Sequence, residues 1–252
     1  MQKVGITGRS GNKLAKETAL RAIKILESKG AAIETDKAFL RKGKKLADFD
    51  CDLVLSFGGD GTLLQVFRDL KKKIPVMGIN CGSMGFLQAY KASEIESAVD
   101  AVLDGKYSIE KRTRISVSVD GRKVGFALNE VLIVPNVTGR LVRYKVSIGN
   151  DSREESGDGL IVATPTGSTA HALSAGGPIV RGNAAVFVVV SVNPVDWKHR
   201  PLIINDHESV TISDFGKVRA EAIIDGQKRF RISRKVELVK GDEVLLAARK
   251  LL

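Results

Sequence analysis

The first hundred residues alternate short apolar runs with segments of helical periodicity. Residues 4–6, 53–57 and 76–79 are mostly apolar and have the length of strands. Residues 14–26 and 95–103 carry apolar side chains at intervals of three and four positions, which is the spacing of one helix face. Strands that alternate with helices in this way form a parallel sheet. We therefore predict a Rossmann-like α/β domain in the first part of the chain.

The pattern changes in the second part, where short alternating runs are separated by turn dipeptides such as Asp120-Gly121 and Gly149-Asn150. These dipeptides are typical of hairpins between antiparallel strands. Helical periodicity is weak here, apart from residues 168–175. The strands are predicted at residues 115–119, 131–134, 144–148, 160–163, 186–192, 210–212, 219–224 and 230–233.

Two domains that meet near residue 105 are therefore predicted. Residues 1–105 form the α/β domain, and residues 106–252 form a β-rich, β-sandwich-like domain. The stretch 242–252 either completes the second domain or packs back on the first. With 252 residues and 43% apolar composition, the chain is long enough for packed cores.

The sequence lacks the usual features of export and of membrane insertion. It has no run of about twenty apolar residues, and it enters its first strand without the pattern of a signal peptide. We expect a soluble, cytoplasmic protein with no membrane partner. Cys51 and Cys81 lack metal-ligand spacing and are expected to be reduced thiols in or near a core. Neither His171 nor His199 has spacing suited to zinc.

The formal net charge of +11 favours anionic partners. The charge is dispersed, and the local clusters at residues 41–45 and 71–73 contain no interleaved aromatic residues. Nucleic-acid binding surfaces usually combine basic patches with a recognisable motif. The composition therefore argues against nucleic acid and suits small phosphorylated ligands.

The segment Gly58-Gly59-Asp60-Gly61-Thr62 lies between a predicted strand and a predicted helix. The first amides of a helix have no internal partners and bind anions such as phosphate. We expect the glycines to adopt positive φ and to keep side chains away from the ligand. Asp60 then either binds the metal that accompanies a nucleotide or accepts a proton from an attacking hydroxyl. The alternative is a tight turn in which Asp60 caps the helix. No Gly-Lys-Ser/Thr follows, which excludes a Walker A loop.

Further polar segments follow predicted strands. Residues 80–87 form a second glycine-rich loop, and residues 164–169 carry three threonine hydroxyls and one serine hydroxyl before a helix. Hydroxyls and helix-terminal amides suit ribose and phosphate oxygens, although Ser/Thr clusters also cap helices. Asn129 and Glu130 interrupt an apolar run and need partners, which a ligand or a backbone turn would supply. Asp158 is either a second functional carboxylate or part of an Asx turn.

Taken together, these segments resemble the NAD kinases. The resemblance rests on residues 58–62, 78–80, 85–87, 129–130, 157–159, 164–170 and 173–179, which occur in family order. The Gly-Gly-Asp-Gly-Thr segment is shared with lipid kinases and phosphofructokinases, whereas residues 164–170 joined to 173–179 are specific. The resemblance implies transfer of the γ-phosphoryl group of ATP, or of polyphosphate in some members, to the 2′-hydroxyl of the adenosine ribose of NAD. It also implies Mg²⁺ or another divalent cation, and a homodimer or homotetramer in which a neighbouring subunit helps to complete the NAD site.

The resemblance also implies roles for single residues. By motif position, Asp60 is the catalytic base or metal-linked carboxylate, and Gly58, Gly59, Gly61 and Thr62 form the phosphate loop. The positions that match dinucleotide-binding residues are Asn129, Glu130, Asp158, Thr166, Thr169, Ala170, His171, Ser174 and Gln227.

Within that set, Asn129 and Glu130 are expected to hold ribose or adenine, and Asp158 the nicotinamide end. His171 stands where many members have Tyr, so imidazole packing or a hydrogen bond would replace aromatic stacking. No set of protein metal ligands is predicted. Two other readings remain open at this stage: a lipid or sphingoid-base kinase, and a non-catalytic dinucleotide sensor.

Overall fold

The computed structural model of this chain describes residues 2–82 and 85–250. Ser83 and Met84, which belong to the predicted second glycine-rich loop, lie outside the described residues, as do Met1, Leu251 and Leu252. The chain divides into two compact units. The first comprises the described residues up to Lys111 together with those from Val244 onward, and the second is Arg112–Glu243.

The first unit is an α/β fold built on a parallel sheet. Its strands are β1 (Lys3–Gly8), β2 (Ala32–Thr35), β3 (Leu53–Gly58), β4 (Val76–Asn80) and β5 (Tyr90–Lys91). Its helices are α1 (Lys13–Ser28), α2 (Lys37–Leu40), α3 (Asp60–Asp69) and α4 (Ile95–Leu103), with 3-10 turns at Leu46–Asp48 and Ala92–Glu94. The parallel strands are arranged in the order β4-β3-β1-β2, and β5 pairs with the outer side of β4.

Burial explains why these segments are strands and helices. All six residues of β3 are buried, as expected for a central strand covered on both faces. Helix α1 buries one stripe of apolar side chains that includes Ala15, Ala19 and Leu26. Its N-cap Asn12 accepts a hydrogen bond from the Ala15 backbone N–H at 3.0 Å, which satisfies one of the open donors of the first turn. The predicted Rossmann-like α/β fold is confirmed.

The second unit is almost entirely β-structure. Its strands are β6 (Tyr107–Val119), β7 (Arg122–Ala127), β8 (Glu130–Pro135), β9 (Val142–Ile148), β10 (Asp151–Gly157), β11 (Gly159–Ala163), β12 (Val186–Val192), β13 (Leu202–Asn205), β14 (Val210–Ser213), β15 (Ala220–Ile224), β16 (Lys228–Ile232) and β17 (Lys235–Arg249), of which β6 begins and β17 ends in the first unit. The only helical segments described between β11 and β12 are the 3-10 turn Gly167–Thr169 and the four-residue α5 (His171–Ser174).

The strands of the second unit form two antiparallel layers. One layer has the order β13-β12-β11-β8-β15-β16, and the other contains β10-β9-β14-β17 with the β6-β7 pair attached to β17. Side chains from both layers, such as Tyr144, Val146, Val162 and Phe187, pack into one buried cluster. This arrangement confirms the predicted β-sandwich-like fold. Within the described ranges, no helix is long and apolar enough to cross a lipid bilayer.

Candidate functional site

In the first unit, the glycine-rich segment forms the turn from β3 into α3. Gly59 is the N-cap of α3 and has an extended backbone (φ −105°, ψ −173°), so the chain enters the helix without a left-handed residue. None of Gly58, Gly59 and Gly61 has positive φ, and that part of the prediction is wrong. Gly58 is needed for a different reason. A Cβ atom there would lie 2.3 Å from Oγ1 of Thr62, so the first turn of the helix packs directly on the end of the strand.

The carboxylate of Asp60 holds the loop that follows β4. Its Oδ2 accepts a hydrogen bond from the Phe86 backbone N–H at 2.8 Å. Its Oδ1 accepts two, from the Leu87 backbone N–H at 3.2 Å and from Nε2 of Gln88 at 3.1 Å. The N-cap of α3 is Gly59, which has no side chain, and the Asp60 carboxylate accepts from described residues 86–88, so the alternative in which Asp60 caps the helix is wrong. Residues 85–88 and the β3–α3 turn therefore form one structural element.

The surroundings of Asp60 leave it able to act on a ligand. An ionised carboxylate has about four lone-pair sites, and the described donors use three of them. Asp60 is half-buried, whereas Gly61 beside it is exposed. No group of three or more potential metal ligands occurs among the described residues. Because Mg²⁺ often binds through one or two carboxylates, water and substrate phosphates, a cation that arrives with a nucleotide fits Asp60 as a single protein ligand.

A cavity of about 620 Å³ lies beside α3 within the same unit. Three basic residues line it: Arg9, Lys37 and Lys45. Two acidic residues also line it, but Asp36 accepts hydrogen bonds within the unit from Thr7 and Ala38, and Asp69 pairs with Arg68. Thr62 contributes the first turn of α3 to the wall. The cavity thus combines basic side chains with the start of a helix, which suits phosphate groups.

The sequence prediction did not include these three basic residues. Lys45 lies in the basic cluster 41–45, whose charge is visible in the sequence but does not show where in the fold the cluster lies. Arg9 and Lys37 follow the ends of β1 and β2, and ligands of parallel sheets bind beyond the carboxyl ends of strands. That rule, applied to every strand of the first unit, would have found them.

In the second unit, strand register brings three separate turns together at one edge of a sheet. Strand β8 runs antiparallel to both of its neighbours, β11 and β15. Its first residue, Glu130, pairs with Ala163 at the end of β11, and the next, Val131, pairs with Ile224 at the end of β15. The segments 128–130, 164–170 and 225–227 therefore meet at this edge.

Asp225 organises this edge. It has positive φ (49°), which is tolerated by Asp in a tight turn. Its carboxylate accepts hydrogen bonds from the backbone N–H groups of Leu128, Asn129 and Glu130 at 3.0, 2.8 and 3.2 Å. The bend at residues 128–129, before β8, is thus held by a side chain almost a hundred residues away. Sequence reasoning identified the Asp225-Gly226 turn but not this role of Asp225.

The Glu130 side chain at this edge of the sheet is buried, and the pKa of its carboxyl is raised. It is only 7% exposed, and its Oε2 is buried without a hydrogen-bond partner in the described part of the chain. Burial, together with the charge of Asp225, raises the pKa of the Glu130 carboxyl to about 7, against the lowering effect of a hydrogen bond from the His171 backbone N–H. A buried acceptor without a partner is costly and points to a ligand that donates to it.

Two hydroxyls of the hydroxyl-rich segment 164–169 make hydrogen bonds within the protein. The Thr164 side chain donates to the carbonyl oxygen of Leu128 and accepts from the Gly167 N–H at 3.1 Å, and the Ser168 hydroxyl bridges Pro165 and Val180. A Cβ atom on Gly167 would lie 2.0 Å from the carbonyl oxygen of Asn129, so the loop packs directly on the start of β8. These two hydroxyls therefore hold the loop in place.

Most of the remaining predicted residues lie near Glu130, and Asp158 does not. Thr166 is buried, Thr169 and Ala170 are half-buried, and the side chains nearest solvent belong to His171 and Ser174 on α5 and to Gln227 beside Asp225. These residues lie in or next to the three turns described above.

Asp158 is not part of this group. It precedes the five-residue strand β11, whereas residues 164–170 follow it, which separates the two ends by about 16 Å. Its carboxylate is exposed and accepts a hydrogen bond from Nδ2 of Asn193 at 2.8 Å. Within one copy of this unit, the structure does not bring Asp158 together with Glu130.

Comparisons with known proteins agree for both units. Residues 4–107 match the family model described as the ATP-NAD kinase N-terminal domain, and residues 128–247 match the ATP-NAD kinase C-terminal domain. An NAD kinase of Methanopyrus kandleri is 32% identical over 250 residues, which cover 96% of this chain and 91% of that protein. An NAD kinase of Methanothermobacter thermautotrophicus is 34% identical over 249 residues, with 95% and 88% coverage.

Solved structures share the fold. A crystal structure of an NAD kinase from Archaeoglobus fulgidus in complex with ATP has a TM-score of 0.81 and 23% identity, covering 98% of this chain and 93% of that one. Yeast NADH kinase complexed with NADH has a TM-score of 0.87 and 21% identity, covering 99% and 84%. Because both domain models match in order and the sequence relatives align over nearly the whole length, the chain belongs to the NAD kinase family.

Proposed function

We propose that this protein transfers the γ-phosphoryl group of ATP to the 2′-hydroxyl of the adenosine ribose of NAD and so produces NADP. The observation that carries the proposal is the match of both halves of the chain to the two NAD kinase domain models. The relatives named above are NAD kinases, and one structural neighbour was solved with ATP. The residues in each unit are consistent with this reaction.

In the first unit, the proposed task is phosphoryl transfer. The ribose oxygen forms a bond to the γ-phosphorus, the bond between that phosphorus and the oxygen bridging to the β-phosphate breaks, and ADP leaves. Asp60 accepts the proton that the 2′-hydroxyl loses. The start of α3, with Arg9, Lys37 and Lys45, supports the negative charge of the donor phosphates.

A divalent cation, Mg²⁺ or another, is proposed to enter with ATP. Its chemistry there would be to neutralise the negative charge that develops on the donor phosphates. Asp60 is the residue of this chain that we expect to hold it, through water, because the remaining site on its carboxylate receives the ribose proton. Removal of divalent cations with EDTA should abolish turnover, and added Mg²⁺ should restore it.

In the second unit, the proposed task is to bind the dinucleotide. Glu130 has a buried carboxyl oxygen without a protein partner in the described ranges, and ribose hydroxyls are donors of the required kind. Asn129 adds an amide at the same turn. The other residues proposed to contact NAD are Thr166, Thr169, Ala170, His171, Ser174 and Gln227. Asp158 is proposed to contact the nicotinamide end, and its distance from Glu130 along β11 supports a role in the site of a neighbouring subunit.

The direct test is to incubate the purified protein with NAD, Mg²⁺ and either ATP or polyphosphate, and to measure NADP with an NADP-specific dehydrogenase. We expect NADP with ATP. The comparison of donors decides whether polyphosphate is also used. If no NADP forms with either donor, while the protein is folded by circular dichroism, the proposed reaction is wrong.

The proposal extends to assembly and location. We propose a homodimer or homotetramer in the cytoplasm, because the family resemblance implies that a neighbouring subunit helps to complete the NAD site. Light scattering after gel filtration measures the mass, which should be two or four times the 27.2 kDa of one chain. A monomer that is fully active would contradict the shared site.

A further inference from the structure

Gln88 lies in a niche that two glycines make possible. A Cβ atom on Gly78 would lie 2.3 Å from Oε1 of Gln88, and one on Gly85 would lie 2.5 Å from its Cγ. Neither glycine has positive φ, so backbone conformation does not require them. Gly78 lies in the buried strand β4, and its carbonyl oxygen accepts a hydrogen bond from the Ala89 N–H at 2.9 Å. The absence of side chains at these two positions therefore makes room for the Gln88 side chain.

The two ends of the Gln88 amide have opposite environments. Nε2 donates to Oδ1 of Asp60 at 3.1 Å. Oε1 is buried and has no hydrogen-bond partner among the residues that the structure describes. Leaving such an acceptor unsatisfied destabilises the folded state, so an apolar side chain of the same size would serve packing better. The hydrogen bond from Nε2 to Asp60 is therefore what the amide contributes at this position.

The effect on Asp60 is to make its two oxygens different. Among the residues that the structure describes, Oδ1 accepts both the Leu87 N–H and Nε2 of Gln88, whereas Oδ2 accepts the Phe86 N–H alone. Each oxygen of a carboxylate has about two lone-pair sites, so Oδ1 is filled and Oδ2 retains one. Without the Gln88 amide, the two oxygens would carry one donor each.

We infer that Gln88 is a positioning residue that fills Oδ1 of Asp60 and so makes Oδ2 the oxygen that receives the ribose proton. This inference rests on the proposed function, in which Asp60 is the general base. A fixed acceptor atom matters because proton transfer requires the base within hydrogen-bond reach of the hydroxyl in a defined orientation. Gln88 itself touches neither substrate in this scheme.

The test compares Gln88→Leu with the wild type in the complete enzyme. Leu has a similar volume and cannot donate a hydrogen bond. We expect kcat to fall about tenfold or more, with KM for NAD and ATP within about twofold, because positioning is lost and binding is not.

A matched control separates this effect from a general loss of amide hydrogen bonding. Gln2 donates through Nε2 to the Val102 carbonyl oxygen at the same 3.1 Å distance, and it does not contact Asp60. Gln2→Leu should leave kcat unchanged. A second variant, Gly78→Ala, should displace the flexible end of Gln88 and reproduce the kinetic defect, which keeps the test decisive if Gln88→Leu does not fold.

A double substitution decides whether Gln88 acts through Asp60. In an Asp60→Asn background, Gln88→Leu should cause no further loss, because the group that it positions is already gone. A further tenfold loss there would overturn the inference, as would a wild-type kcat in Gln88→Leu alone. Absence of NADP formation by the wild type would instead overturn the proposed function, so the two failures are distinguishable.

Discussion

Asp60 follows the buried strand β3 and Glu130 is the first residue of β8, yet the two carboxyl groups differ in burial and in hydrogen bonding. Asp60 is half-buried and accepts three hydrogen bonds from residues 86–88. Glu130 is buried and lies near the charge of Asp225, and both effects raise the pKa of its carboxyl. A hydrogen bond from the His171 backbone N–H acts in the opposite direction. The three amides next to Glu130 point to Asp225 instead.

This difference shows that the environment of a carboxyl group depends on which carboxylate the nearby backbone amides bind. At Asp60 the amides hold the carboxylate in one orientation, which suits a group that acts on a reacting atom. At Glu130 the amides of the same turn are used by another residue, so its buried oxygen depends on a ligand for a partner. These surroundings support the proposed roles, a general base at Asp60 and a ligand-binding group at Glu130.

The largest expected effect comes from removing the Asp60 carboxylate. Asp60→Asn should reduce kcat by about 10²–10⁴-fold, because general-base assistance is lost. NAD binding, measured by calorimetry, should persist. The control is Asp100→Asn, which changes a carboxylate on α4 that pairs with Lys29 on the surface. Turnover of Asp60→Asn at the wild-type rate would remove Asp60 from the mechanism.

The next effect is on stability and depends on pH. The folded-state pKa of Glu130, about 7, lies above its ordinary value of 4.5, so the folded state holds this proton more tightly than the unfolded state does. The contribution of the group is fully present below pH 4.5 and is lost as the pH rises through about 7. Between these limits the loss is on the order of 3 kcal/mol.

Glu130→Gln should remove this pH dependence. Urea unfolding without ligand should show that the variant gains stability relative to the wild type when the pH is raised from 4.5 to 8. Glu17→Gln, at a carboxylate on the exposed face of α1, is the control and should show no such trend. A constant difference between Glu130→Gln and wild type at all pH values would contradict the buried, proton-holding state of Glu130.

A smaller effect is expected on NAD binding. Hydrogen bonds to charged groups contribute about 1.5–3 kcal/mol, so Glu130→Gln should weaken NAD binding by about tenfold or more at pH 8. The wild-type Kd should rise as the pH falls through about 7, and the variant should show a flat profile. Calorimetry with NAD alone measures both. Equal affinities of the two proteins at pH 8 would exclude Glu130 from the NAD site.

The smallest effect tests the electrostatic coupling between Glu130 and Asp225 in the second unit. Asp225→Asn retains a residue that tolerates positive φ but removes the negative charge near Glu130. The pKa of Glu130 should fall, which carbon-13 NMR of the labelled side-chain carboxyl can follow. The melting temperature should also fall, because three backbone amides lose a charged acceptor. An unchanged pKa would mean that burial alone raises it.

Much of the fold was predictable because apolar periodicity records burial. Helices α1 and α4 and strands β1, β3 and β4 all coincide with predicted segments. Strand β10 was not predicted, because its sequence Asp-Ser-Arg-Glu-Glu-Ser-Gly is polar, and it is a strand because it pairs with β9 along seven residues. Strand β17 was not predicted either, although it is largely apolar in its second half, and it pairs with β14 and with β4.

The candidate residues were also predictable in part. The resemblance identified Asp60, Asn129 and Glu130, whose types and spacing are visible in the chain. Gln88 and Asp225 were missed as site residues, since their partners lie 28 and 95–97 positions away. No local pattern records a hydrogen bond of that range.

By itself, the sequence determined the family, the two fold classes and the turn that presents Asp60, because periodicity and motif spacing are local properties of the chain. Tertiary structure alone decided which oxygen of Asp60 is filled and why the Glu130 carboxyl holds its proton. Both depend on donors, charges and burial contributed by distant segments. Desolvation and hydrogen bonding act over a few ångströms of space, whatever the separation along the chain.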